Sequence, residues 1–180
     1  MRRIIVSNLM SLDGFFESAE QKLDWCVVDE EFFDYAKDML RNADTLLFGR
    51  KTYQHMASYW SSAPADEIAD HMNNLPKVVF SRTLQTAEWK NSKLVKDEAS
   101  EEISRLKQLP GKDMVILGSA SLASFLLQRG LIDEYRVILN PVFLGSGKLL
   151  FQDVKERLRL KLSRTKLFAS GVVVLYYQSA

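Results

Sequence analysis

A chain of 180 residues carrying 24 basic and 23 acidic side chains is close to neutral, and its cations do not cluster, which argues against a nucleic-acid surface. Its hydrophobic share of 47% suffices for a sizeable core in one domain, residues 1–180. Cys26 is the one cysteine, so no internal disulfide and no Cys-x-x-Cys metal site can form, and no apolar run reaches bilayer length; a cytoplasmic, metal-free protein away from membranes is expected.

Ile4–Met10 reads as the first strand and runs into Ser11-Leu12-Asp13-Gly14, where Asp-Gly signals a turn. Asp29–Asn42 has helical apolar spacing at Phe32, Phe33, Ala36, Met39 and Leu40, with acids in the first turn where the helix dipole favours them. Thr45–Phe48 is the second strand, Lys51–Tyr59 a helix, and Pro64–Asn73 a short helix with proline near its start. Lys77–Phe80 is a third strand and Trp89–Val95 holds a short fourth. Ser100–Leu109 is a helix, Met114–Leu117 an apolar strand, and Ser119 opens a helix that Gly130 stops. Tyr135–Leu139 follows as a strand. Leu158, Leu160 and Leu162 alternate with Arg157, Arg159 and Lys161, the period-two mark of a half-exposed strand, and Val172–Tyr177 pairs with it as a terminal hairpin. Strands alternating with helices predict an α/β fold: a mostly parallel central sheet with helices on both faces and an antiparallel C-terminal edge hairpin.

In open α/β sheets ligands bind beyond the carboxyl ends of the strands. Three strand ends here carry suitable chemistry. Gly49-Arg50-Lys51-Thr52 and Gly118-Ser119-Ala120-Ser121-Leu122 are strand–glycine–helix junctions, where free backbone N–H groups and the helix dipole welcome an anion. Gly49 lets a ligand approach the backbone, Arg50 and Lys51 add full charge, and Thr52 adds a hydroxyl. The third end, Ser81-Arg82, offers a planar guanidinium suited to a separate phosphate. Together they suit a dinucleotide with an additional 2′-phosphate. Neither Gly-x-Gly-x-x-Gly nor a Walker A sequence is present, so neither a Rossmann domain nor a P-loop NTPase is indicated.

Gly49-Arg50-Lys51-Thr52-Tyr53, Val78-Val79-Phe80-Ser81-Arg82 and Val115-Ile116-Leu117-Gly118-Ser119 resemble the three NADPH-contacting turns of dihydrofolate reductase. Ser11-Leu12-Asp13-Gly14, Gly130–Tyr135 and Pro141–Gly147 are similar to the reductase domain of the riboflavin-biosynthesis deaminase-reductase. The resemblance spans nearly the whole chain. It implies a dihydrofolate-reductase-like three-layer fold, NADPH as cofactor, a homodimer, and hydride transfer to a small heterocycle or a ribosylaminopyrimidine. A non-catalytic nucleotide- or pterin-binding protein on the same scaffold, or a weak dihydrofolate reductase, is the alternative. Two departures stand out. Dihydrofolate reductases carry a buried carboxylate on the helix before the Gly49 turn; counting back places it near Phe33, where no acid stands. Relatives usually show glycine after Gly118, where this chain has Ser119. His55 and His71 sit in no His-x-Glu motif, so zinc-dependent deamination is not expected of these residues.

The resemblance places substrate near the end of the first strand. Asp13 is the catalytic candidate there, equally readable as the ordinary acid of an Asp-Gly turn. Asn8 and Ser11 either line the pocket or satisfy backbone groups at the strand end. Phe15 and Trp25 wall the site or belong to the core. Glu30 and Asp34 stand near the vacant helix position, and read otherwise as solvated or dipole-placed acids.

Overall fold

The computed structural model describes residues 1–151, 154 and 156–179. In chain order the elements are β1 (Ile4–Ser11), β2 (Phe15–Ser18), α1 (Glu30–Arg41), β3 (Ala43–Gly49), α2 (Arg50–Trp60), α3 (Glu67–Asn74), β4 (Lys77–Phe80), β5 (Ser92–Val95), α4 (Ala99–Gln108), β6 (Asp113–Leu117), α5 (Ala120–Leu127), β7 (Glu134–Asn140), β8 (Gly147–Leu149), β9 (Leu160–Leu167) and β10 (Val173–Ser179).

The main sheet has the order β5-β4-β3-β6-β1-β7-β10-β9. Its first six strands are parallel, and β10 and β9 close one edge antiparallel, as expected from the leucine alternation. Because successive side chains of a strand point to opposite faces, each central strand feeds two cores. Ile5, Leu46, Phe48, Val79 and Val115 pack against Tyr35, Met39, Tyr53, Ile68 and Met72 of α1, α2 and α3. Ile4, Val6, Leu47, Met114 and Ile116 pack against Ile103, Leu106, Leu122 and Leu126 of α4 and α5. The result is three layers.

The order of the strands creates a crevice. β6 returns between β3 and β1; the helix after β3 packs on one face and the helix after β6 on the other. Adjacent strands whose following helices leave to opposite sides cannot close over their shared carboxyl end, and a ligand-sized gap remains.

Three features differ from expectation. The short helix begins at Glu67 rather than Pro64, because the Asp66 carboxylate accepts a hydrogen bond from Ala69 N at 2.7 Å and fixes the start there. A second sheet, β2 paired antiparallel with β8, went unforeseen: both strands are short and join segments about 130 residues apart. The strand β9 is exposed along its whole length rather than on one face, with Leu160 and Leu162 open at 38% and 46% and no helix among the described residues covering them.

Candidate active site

Two cavities meet at the carboxyl edge of the sheet, sharing Lys51, Thr52 and Ser121. The smaller, about 430 Å³, lies where β3, β4 and β5 end and contains Gly49, Arg50, Lys51, Thr52, Ser81, Arg82, Ser121 and Leu122. Every strand end selected from the sequence reaches one of the two cavities. Lys96 and Ala99 join the smaller one unforeseen. Parallel pairing of Phe80 with Val95 sets Lys96 beside the Ser81-Arg82 turn, so the strand-end rule applied to β5 would have found it.

Polar groups bind the turns to one another. Gly49 N donates to Ser119 Oγ at 3.0 Å, Thr52 Oγ1 donates to Gly118 O at 3.1 Å, and Gly118 N donates to Asn8 Oδ1 at 2.8 Å. Ser119 thus locks the two junctions together. It also occupies the Gly49 N–H, leaving anion binding to the first-turn amides beyond it. Gly118 has φ +65°, a left-handed conformation that makes glycine the natural residue there. Gly49 is different: φ is −83°, and an added Cβ would meet Ser121 Oγ at an ordinary 3.7 Å. Neither backbone nor packing demands glycine at 49, so the space it leaves in the cavity wall suits close approach of a ligand.

The electrostatics point to a polyanion. Arg50, Lys51, Arg82 and Lys96 line the smaller cavity together with no acid, and among the described residues none of the four is in an ion pair. Three helices, α2, α4 and α5, start at its walls, and none has a side-chain cap. By contrast α1 and α3, which start elsewhere, are capped by Asp29 and Asp66. Three helix N-termini with unused N–H groups and four free cations match the phosphates of a dinucleotide.

The larger cavity, about 680 Å³, extends from Gly118, Ala120 and Ser121 inward between the sheet and helices α1, α2 and α3. Asn8 lies on it, as do Phe33 and His55. The other residues assigned to substrate from the sequence do not. Asp13 serves as the acid of its turn: its carboxylate accepts from Ser11 Oγ at 2.6 Å, Gly145 N at 2.7 Å and Leu144 N at 3.1 Å. The Ser11 hydroxyl, with those amides, holds its pKa down at about 2. Ser11 Oγ also accepts from Phe15 N at 3.0 Å, so it too is a turn residue. Phe15 pairs with Leu149 in the small sheet and leaves its neighbour Phe16 to face the cavity. Trp25 Nε1 donates to Lys22 O at 3.0 Å, outside the cavity wall. Glu30 is exposed in the first turn of α1, the solvated position. What the sequence did not indicate is the inner wall: Ser7 Oγ and Tyr35 OH lie 3.0 Å apart, both buried, and burial pushes the Tyr35 phenol up to about 12.

Comparisons with known proteins agree with this geometry. The chain is 39% identical over 183 residues to the uncharacterized protein YyaP of Bacillus subtilis (strain 168), covering 98% of this chain and 94% of that one. Among solved structures, a putative riboflavin biosynthesis protein from Shewanella sp. PV-4 superposes with a TM-score of 0.77 at 24% identity, covering 99% of both chains. A diaminohydroxyphosphoribosylaminopyrimidine deaminase/5-amino-6-(5-phosphoribosylamino)uracil reductase from Thermotoga maritima superposes at 0.72 and 14% identity, over 99% of this chain and 57% of that one. Dihydrofolate reductase from Enterococcus faecalis, complexed with NADP(H), superposes at 0.65 and 14% identity over 98% and 96%. At these identities the structural likenesses are ones of fold. The family model of the RibD C-terminal domain, however, matches residues 2–174, so a dihydrofolate-reductase-like scaffold with two cavities at its switch point is here a member of the RibD C-terminal domain family.

Proposed function

We propose that the chain is an NADPH-dependent reductase that passes a hydride to a small heterocyclic or otherwise conjugated acceptor held in the larger cavity. The observation that carries this is the smaller cavity: four cations in no ion pair among the described residues, and three uncapped helix N-termini, around a glycine whose missing Cβ leaves room in the wall. Arg82 and Lys96, at the ends of neighbouring strands, take the 2′-phosphate; the first turns of α2 and α5 take the pyrophosphate. Continuity through Lys51, Thr52 and Ser121 then directs the nicotinamide end toward the larger cavity. The bound dinucleotide supplies the hydride, and the protein aligns it with its acceptor and keeps water out. The names of two structural relatives, a uracil reductase and a reductase complexed with NADP(H), support the same reading. The working unit is a homodimer joined through the exposed β9 edge.

NADPH deuterated at C4, mixed with protein and candidate acceptors, tests the proposal: deuterium appears in the product by mass spectrometry. A second reading, nucleotide binding without turnover, is favoured by Phe33 standing in place of an acid. Tight NADPH binding with no label transferred to any acceptor would select it.

A further inference from the structure

The larger cavity also speaks to the kind of acceptor, an inference that rests on the reductase reading. Its charged residues, Glu17, Lys51, His55 and Lys148, are exposed or only half-buried and stand toward its mouth. Its depth is built from buried Met39, Leu40, Ile68 and Met72, with Phe32 and Trp60 beside them. No arginine lines it among the described residues. The one buried guanidinium behind Tyr35, Arg136, is already held by Glu134 at 2.5 Å. A phosphate or carboxylate carried to this depth would give up its hydration and meet no opposite charge there.

Two buried polar features remain on its wall: Asn8, whose Nδ2 has no hydrogen-bond partner among the described residues, and the hydroxyl pair of Ser7 and Tyr35. Their mutual hydrogen bond uses one hydroxyl hydrogen and leaves the other free to donate. We infer that the acceptor is an uncharged, flat, largely apolar conjugated carbonyl compound, whose oxygen takes that spare hydrogen, and not a phosphorylated sugar derivative. The β-carbon of such an acceptor receives the hydride with both electrons of the C–H bond it leaves, and NADPH is oxidised to NADP⁺. The carbon–carbon π pair shifts to leave an enolate oxygen, held by the hydroxyl pair, and water delivers a proton to the α-carbon.

The test uses benzylideneacetone and the same enone bearing a ring carboxylate, titrated calorimetrically into the protein saturated with NADP⁺. The uncharged enone is expected to bind at least tenfold more tightly, and with NADPH to be reduced faster than 5-amino-6-(5-phosphoribosylamino)uracil. In Phe33→Lys, at an exposed position of the cavity wall, that preference should shrink several-fold while NADPH affinity stays unchanged. Equal or tighter binding of the carboxylated enone, no binding of either, faster reduction of the phosphorylated uracil, or an unaltered preference in Phe33→Lys would overturn the inference. Separate titration of NADPH keeps the two claims apart: failure there removes the reductase reading, whereas a charged-acceptor preference with intact NADPH binding removes only this one.

Discussion

Arg82 illustrates how much a single side chain can decide. It is exposed, has no carboxylate partner among the described residues, and faces a cavity that it shares with Arg50 and Lys96. A charge-assisted hydrogen bond to a 2′-phosphate contributes roughly 1.5–3 kcal/mol, so Arg82→Ala should weaken NADPH about tenfold to a hundredfold and leave NADH unaffected. Competition titrations with both nucleotides read this directly, and a variant that loses both equally would indicate a misfolded turn. Asp13 acts on stability instead. Its pKa, about 2 in the folded chain, lies below the ~3.9 of an unfolded aspartate. Its contribution is therefore present above about pH 4 and lost as pH falls from there toward 2. The Asp13→Asn variant should melt lower than the parent at neutral pH, and the difference should narrow by pH 3, with NADPH affinity unchanged. Differential scanning calorimetry at the two pH values checks both statements.

At the scale of the element, helix α1 separates this chain from dihydrofolate reductases. Its inner face presents Phe32, Phe33, Tyr35, Ala36 and Met39 to the larger cavity and no carboxylate. Protonating the acceptor nitrogen of dihydrofolate needs a positioned acid, so turnover of that substrate should be poor or undetectable in an NADPH-oxidation assay; an ordinary rate, ~1–1000 per second, would contradict it. The same helix shows what a sequence reveals. Its apolar spacing and capping aspartate are local signals, and the predicted span, Asp29–Asn42, exceeds the observed helix by its two capping residues. That three strand ends carry polar turns at the carboxyl edge of the sheet was legible for a similar reason: each is a strand, a break and a polar first turn in contiguous sequence. The surroundings of Asp13 and Phe15 were not, because whether a side chain near a strand end faces a cavity or a backbone partner depends on a distant segment. Leu144 and Gly145 claim the Asp13 carboxylate from 131 and 132 residues away. Ser7 and Tyr35 were hidden in the same way, by a contact between β1 and α1 that periodicity alone does not specify.

For the whole molecule, the open edge matters most. Leu158, Leu160, Leu162 and Leu167 are exposed, and on the side away from β10 no strand among the described residues pairs with β9. Apolar edges of this kind pair with another chain or aggregate, and a two-fold homodimer covers them most simply. Light scattering at micromolar concentration should give twice the 20.6 kDa chain mass. Leu160→Arg should then yield a soluble monomer that still binds NADPH, since a charge trapped unpaired in the interface costs several kcal/mol. A dimer that survives the substitution would place the interface elsewhere.

The central claim concerns the cavity at the ends of β3, β4 and β5. Calorimetric titration of the parent protein with NADPH and, separately, NADH addresses it most directly. Four cations in no ion pair among the described residues, with three uncapped helix starts, predict saturable binding of NADPH at least tenfold tighter than that of NADH. Equal affinity for the two nucleotides, or no binding of NADPH, would contradict the account.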